Sequence, residues 1–206
     1  MSDSLGLTLG AIPHETGTRF RVWAPQAERV EVLLEPSGDA RPTEPLPMTP
    51  EGGYFVLDAP NIRAGARYRY RLDGGAAYPD PASRCQPEGV HGPSEVVDPS
   101  AFAWTDGAWT GVSQRDLVFY EAHVGTFTPE GTFDAMREKL AYLKDLGVTA
   151  LELLPVADFP GARNWGYDPA AFFAPSRAYG SPDDLRRLED AAHEVGLAVF
   201  LDVVYN

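Results

Sequence analysis

Trp165, Tyr167 and Asp168 fall within six residues, NWGYDP, that open with Asn164. Two aromatic faces beside an amide and a carboxylate suit a ligand with apolar ring faces and many hydroxyls, and a sugar fits that description. Packing is the competing use of any aromatic, and Phe172, Phe173 and Tyr179 are expected to hold their own loop in place. A second set of chemistry-bearing residues follows short apolar runs: Glu121, His123 and Thr126 in YEAHVGT, and Asp202, Tyr205 and Asn206 in LDVVYN. A carboxylate on a buried strand costs several kcal/mol unless it is paired. Asp202 is therefore expected either to be tied to a structural donor or to support a site, whereas Glu121 and Glu152 are expected as buried, satisfied acids.

Other chemistries are poorly supplied. His14, His91, His123 and His193 do not form a ligand spacing, and HExxH, CxxC and GxSxG are all missing from the sequence. The glycine-rich stretch around Gly161 lacks the lysine and helix start of a phosphate loop. His193 lies inside a helical pattern and is expected on the surface. No metal and no cofactor are expected.

The elements that must position these residues change character along the chain. From residue 8 to 73 the pattern alternates as in strands, with runs at Thr18 to Trp23, Val30 to Leu34 and Tyr54 to Leu57 separated by Pro- and Gly-rich stretches. In RYRYRL, Tyr68, Tyr70 and Leu72 share one face and Arg67, Arg69 and Arg71 the other, and Asp73-Gly74-Gly75 supplies a tight turn. Such strands predict a small β-sandwich. Residues 78–114 show neither period and are expected as an ordered connecting segment, because Val96, Val97, Phe102, Trp104 and Trp109 need somewhere to pack.

From Leu117 the order becomes β, α, β, α, β. LVFYEAHV is a strand; Thr132 to Leu146 predicts a helix with Phe133, Met136, Leu140 and Leu143 inward and Gly147 at its stop; Ala150 to Leu154 is a second strand. Ser181 caps a further helix with Pro182 at its first position and Asp183 and Asp184 in its first turn, its buried stripe being Leu185, Leu188, Ala192 and Val195 and its stop Gly196. A third strand, Ala198 to Val204, follows. Crossovers of this kind build a parallel sheet, whose working residues gather at the carboxyl ends of the strands. The loop from Val156 to Ser181 leaves such an end and far exceeds the usual connection, a length that is commonly functional.

Composition narrows the partners. The chain has 206 residues, 17 basic against 30 acidic, and a net charge of −13, so a phosphate backbone or an anionic membrane is repelled. No nucleic acid and no membrane partner is expected. Cys85 is the single cysteine, and MSDSLGLTLGAIPHE lacks the basic and apolar parts of a signal peptide, which together predict a cytoplasmic setting.

FRVWAP (Phe20 to Pro25), YRYRLDG (Tyr68 to Gly74), DPASR (Asp80 to Arg84), YEAHVGTFTPEGTF (Tyr120 to Phe133), LELLPV (Leu151 to Val156), NWGYDP and LDVVYN, in this order, resemble the α-amylase superfamily, glycoside hydrolase family 13. The resemblance implies a multidomain protein: an immunoglobulin-like, carbohydrate-binding-like β-sandwich over 1–77, the connecting segment 78–114, and over 115–206 the first three strands of a (β/α)₈ barrel that this chain leaves incomplete. It implies a retaining hydrolase of α-glucans, which needs two carboxyl groups roughly 5 Å apart. In the family these follow strands four and five, with a third Asp after strand seven, so no catalytic residue is expected in this chain. Carried over residue by residue, Tyr167 resembles the aromatic platform under the sugar, flanked by Asn164, Trp165 and Asp168. Asp202 resembles an Asp that positions active-site partners. Asn206 matches a residue that binds calcium in some members, but the similarity to the calcium-free branch implies no metal. GTFTPEGTF and PDPASR…PEGVHGPSEVVD tilt the expected activity toward cutting the α-1,4 bond beside the trehalose end of a maltooligosyltrehalose. Glucan branching, isoamylase-type debranching and non-catalytic glucan binding are the alternatives.

Overall fold

The computed structural model describes residues 8–35 and 44–205. The chain divides after Pro99 into two compact units. In the first, β1 (Gly10–His14), β2 (Gly17–Trp23), β3 (Val30–Leu34), β4 (Leu46–Pro47), β5 (Thr49–Glu51), β6 (Tyr54–Pro60), β7 (Arg67–Leu72), β8 (Ala77–Tyr78) and β9 (Ser94–Glu95) form two antiparallel sheets. One runs β1-β2-β6-β5 and the other β4-β3-β7-β8, with β9 also on β7. Phe20 and Val22 of the first sheet and Val30, Val32, Tyr68 and Tyr70 of the second share one core, where Phe20 meets Tyr68 edge-on at 4.9 Å.

RYRYRL behaves as its alternation demands. Tyr68 and Tyr70 are each 1% exposed, while Arg71 pairs with its register partner Glu31 at 2.8 Å, Arg69 with Glu35 and Arg67 with Glu95 and Glu88. Asp73 and Gly74 both have positive φ, and the Gly75 N–H closes on the Leu72 carbonyl at 2.8 Å, the mirror-image turn that suits a twisted hairpin.

The stretch expected as one connector, 78–114, is divided. Its first part adds β8 and β9 to β7 and buries Val96 in the sandwich core, so that unit runs to Pro99. The remainder belongs to the second unit, where Trp109 stacks on His193 at 4.6 Å.

That second unit is built on β10 (Phe119–Ala122), β11 (Ala150–Leu153) and a later strand over Ala198–Leu201, which pair in parallel in the order first, second, third. Between β10 and β11 lie α1 (Val124–Phe127), α2 (Phe133–Arg137) and α3 (Leu140–Asp145). The single helix expected over Thr132 to Leu146 is thus broken at Glu138 and Lys139. There the Lys139 N–H donates to the Met136 carbonyl three residues back, a tighter turn than the α-helical one. The 3-4-3 spacing still points Phe133, Met136, Leu140 and Leu143 inward, all at most 2% exposed.

The long loop after β11 contains a small hairpin, β12 (Ala157–Asp158) with β13 (Ala171–Pro175). Next comes α4 (Pro182–Glu194), then β14 (Ala198–Leu201). β14 stops three residues short of the expected Val204, because β11 is its neighbour on one side and the last ladder bond is the Asp202 N–H to the Leu153 carbonyl at 2.9 Å.

α4 starts in a capping box: the Asp184 N–H donates to the Ser181 hydroxyl, and the Ser181 N–H and hydroxyl donate to the Asp184 carboxylate. Burial works against this carboxylate, but the Ser181 bonds and the Arg187 guanidinium together hold its pKa below the ordinary value. Ser181→Ala is expected to cost about 1 kcal/mol, read as a lower midpoint in chemical denaturation, with Ser181→Gly costing only a few tenths. Leu188 and Ala192 are fully buried, with Leu185 and Val195 packed beside them as the stripe predicts. His193, expected on the surface, is instead clamped: its Nδ1 lies 2.8 Å from the Asp106 carboxylate and its ring against Trp109. Asp106 is 87 residues away, a separation no helical period reports. No described helix is long and apolar enough to cross a membrane.

Candidate functional site

The carboxyl ends of β10, β11 and β14 place three groups of residues together. In register, Glu121 lies beside Glu152 and Glu152 beside Phe200, so the face that carries them leads on to Asp202 just past β14. Glu121 and Glu152 were expected to be buried and satisfied; Glu121 is exposed and Glu152 half-buried. The same face leaves Phe119 and Phe200 49% and 40% exposed although their rings touch at 4.8 Å, because the described residues lay nothing over it.

Asp202 is half-buried and accepts a 2.7 Å hydrogen bond from the Tyr167 hydroxyl. That bond is the main reason the Tyr167 phenol is held above its ordinary pKa; slight desolvation and the charges of Asp202, Glu121 and Glu152 act the same way. Asp202→Asn is accordingly expected to let Tyr167 ionise at lower pH, read from the ¹³C resonance of its ζ carbon. No change would mean that the contact is not formed in solution.

The turn that carries Tyr167 is fixed from below. The Asn164 side-chain oxygen accepts from the Gly166 N–H at 2.7 Å, an Asx turn, and Gly166 has φ +97°. The Asn164 carbonyl faces His123 Nε2 at 2.7 Å and accepts from the Tyr179 hydroxyl at 3.3 Å. Since a carbonyl only accepts, His123 Nε2 is the donor to it, while Nδ1 lies 3.2 Å from the Thr126 hydroxyl, which also donates to the His123 carbonyl at 3.4 Å. Burial raises the Tyr179 phenol pKa.

Of the residues singled out in NWGYDP, Asn164, Trp165 and Tyr167 thus lie in one hydrogen-bonded turn. Trp165 meets the His123 ring edge-on at 5.0 Å and is 64% exposed, Tyr167 is 40% exposed, and Asp168 is exposed but joins none of these contacts. Asn206 lies outside the described residues. Tyr179 packs as expected at 4% exposure, whereas Phe172 and Phe173, expected to do likewise, are 37% and 61% exposed on the hairpin strand β13. What sequence reasoning missed is that His123 and Tyr179 both bind the Asn164 carbonyl. The only available signal was a histidine directly after a strand, and its partner is 41 residues away. Among the described residues no group of three or more His, Cys, Asp or Glu could hold a metal ion.

A strand-end aromatic turn on a parallel sheet, preceded by a separate sandwich, defines a class, and the comparisons give it a family. The family described as Alpha amylase, catalytic domain, matches residues 96–206, and Carbohydrate-binding module 48 (Isoamylase N-terminal domain) matches residues 8–101. The chain belongs to the α-amylase catalytic-domain family, with a module of the second kind before it. In particular, it is 53% identical over 200 residues to the malto-oligosyltrehalose trehalohydrolase of Deinococcus radiodurans, a match that covers 96% of this chain and 32% of that protein. It is 34% identical to a 1,4-alpha-glucan branching enzyme of Xanthomonas euvesicatoria, covering 99% of this chain and 30% of the relative. A 1.4 Å crystal structure from Salmonella typhimurium, of a protein assigned as an alpha amylase, superimposes with a TM-score of 0.89 at 44% identity, covering 95% of this chain and 33% of that one. The chain thus spans about a third of the length of the relatives it matches.

Proposed function

We propose that this chain serves a retaining glycoside hydrolase that cuts the α-1,4-glucosidic bond next to the trehalose end of a maltooligosyltrehalose and releases trehalose. The observation that carries the reading is the 53% identity, over nearly the whole chain, to a trehalohydrolase, against 34% to a branching enzyme. The first unit is read as a carbohydrate-binding-like sandwich and the three parallel strands as the opening strands of a (β/α)₈ barrel, in a cytoplasmic enzyme. In this reading Tyr167 is the platform under the sugar ring, Asn164, Trp165 and Asp168 flank it, and Asp202 orients the platform through the Tyr167 hydroxyl. Asn206 is read as a further support. The paired carboxyl groups that a retaining glycosidase requires are supplied by sequence beyond these residues.

The platform assignment draws support from the geometry: an exposed phenol ring, anchored at its hydroxyl by a carboxylate, presents a face while its edge is fixed. The test is to incubate maltooligosyltrehalose with the full-length protein carrying this chain and measure free trehalose. Trehalose release supports the reading. Transfer of glucan branches without trehalose would give the branching reading instead, and glucan binding with no bond cleavage would leave a binding module.

A further inference from the structure

Thr105 to Trp109, in the stretch that leads from Pro99 to β10, lie as a strap across the last turns of α4. The Thr105 N–H and hydroxyl donate to the Asp190 carboxylate at 2.9 and 2.8 Å, and the Asp106 N–H joins them at 3.1 Å. The Trp109 N–H then donates to the Asp106 carbonyl at 2.7 Å, closing a turn. That turn delivers both the Asp106 carboxylate, 2.8 Å from His193 Nδ1, and the Trp109 indole, whose plane lies 11° from that of the imidazole. The strap is thus fastened to α4 through Asp190 and His193.

Histidine changes charge near neutral pH, so this fastening exists in two forms. His193 sits in the last turn of α4, where the helix dipole favours a cation. Asp106 faces it from the strap, and the charges of Glu189 and Asp190 reach it from its own helix. Burial works against the Asp190 carboxylate, but the Thr105 and Asp106 donors and the His193 charge hold its pKa below the ordinary value. Burial raises that of Glu189, as do Asp106 and Asp190, against the opposing charges of His193 and Arg186. A stacked indole face likewise attracts a cation. A protonated imidazole therefore gains from the carboxylates, the helix end and the indole together, whereas the neutral ring keeps little beyond an Nδ1–H bond to Asp106. Both side chains of that pair are mostly buried, so salt screens them weakly.

We propose that residues 105–109 are a pH-sensitive strap, fastened to α4 while His193 is protonated and loosened once it is neutral. The contribution of the imidazolium is fully present at mildly acidic pH and is lost as pH rises through the range in which histidines release their proton. Because the strap leads from the first unit to β10, loosening it slackens the chain between the two units. The device is separate from the glucan-acting reading above and stands whichever bond is cut.

Amide hydrogen exchange of the full-length protein carrying this chain tests it, read by mass spectrometry on peptides spanning the strap and corrected for the pH dependence of exchange itself. Protection of the strap is expected to fall about fivefold from about pH 5.5 to about pH 7.5. His193→Phe keeps a ring against Trp109 without a charge, and should lose protection at the lower pH and show no such fall. Asp106→Asn leaves an acceptor for the Nδ1–H but removes the facing charge, and should shrink the fall to about twofold or less. Circular dichroism at both pH values confirms that each variant is folded. Equal protection at the two pH values in the parent protein overturns the strap. So does an undiminished fall in either variant, which would assign the titration to a neighbour such as Glu189.

Discussion

Gly166→Ala is expected to displace the Tyr167 turn and to destabilise the second unit by about 3 kcal/mol. Two costs add. Gly166 has φ +97°, a backbone conformation that a side chain makes expensive by about 1–2 kcal/mol. A Cβ there would also lie 2.3 Å from the Pro155 carbonyl oxygen and 2.8 Å from the Pro155 Cβ, contacts that cannot be relieved by swinging a flexible side chain. The turn must move, and with it the Gly166 N–H that closes on Asn164 and the Tyr167 hydroxyl that reaches Asp202. Gly161→Ala is the control, since Gly161 has a similar φ of +91° with nothing within 4 Å of the added Cβ, and it should show the backbone cost alone. Thermal melts of the two variants measure the difference, and the Tyr167 resonance reports whether the platform has moved. Equal melting points would show that the loop absorbs the methyl group and that Pro155 does not set its path.

How far the sequence revealed this arrangement depended on distance along the chain. The Ser181 cap closes within three residues and the Asp73-Gly74 turn within four, so residue types alone specified both, though not the return bond from Ser181 to the Asp184 carboxylate. The inward faces of RYRYRL and of Leu188 and Ala192 followed from period, because each period maps one set of side chains onto one buried surface. The break at Lys139 was invisible, since a local tightening leaves the apolar spacing intact. Pairings such as His193 with Asp106 and His123 with Asn164 join elements 87 and 41 residues apart, and propensity carries no information about them. Phe172 and Phe173 were misjudged for a related reason: an aromatic looks the same in sequence whether its own loop covers it or not. The site was therefore legible as a cluster of suitable residue types, His123 included, while the bond by which that imidazole organises the turn was not.

The largest stability effect in the first unit is expected at Asp80, in the DPASR stretch. Its carboxylate is 2% exposed and accepts from the Tyr68 hydroxyl at 2.6 Å, the Ala82 N–H at 2.8 Å and, at the limit of hydrogen bonding, the Tyr70 hydroxyl at 3.5 Å. Nearby, Arg84 donates to the carbonyls of Leu9 and Ala11, so the cluster pins the segment after β8 onto the sandwich. Asp80→Ala leaves buried donors without an acceptor, each costing about 1–3 kcal/mol, and a total loss of about 3 kcal/mol or more is expected in denaturant melts. Asp80→Asn keeps one acceptor and the shape, and should cost less. The pH dependence separates charge from shape. Burial raises the Asp80 pKa, against the lowering effects of Tyr68, Ala82 N–H, Arg84 and Tyr70. Between the ordinary and the raised value the native state holds a proton that the unfolded chain has released. The contribution of this carboxyl to stability is therefore fully present below the unfolded pKa and is lost as pH rises through the folded one. Asp80→Asn removes that slope, so its stability relative to the parent chain should improve as pH climbs through this window. A relative loss over the same window would mean that the Arg84 charge outweighs burial, and that the carboxylate is held ionised in the fold.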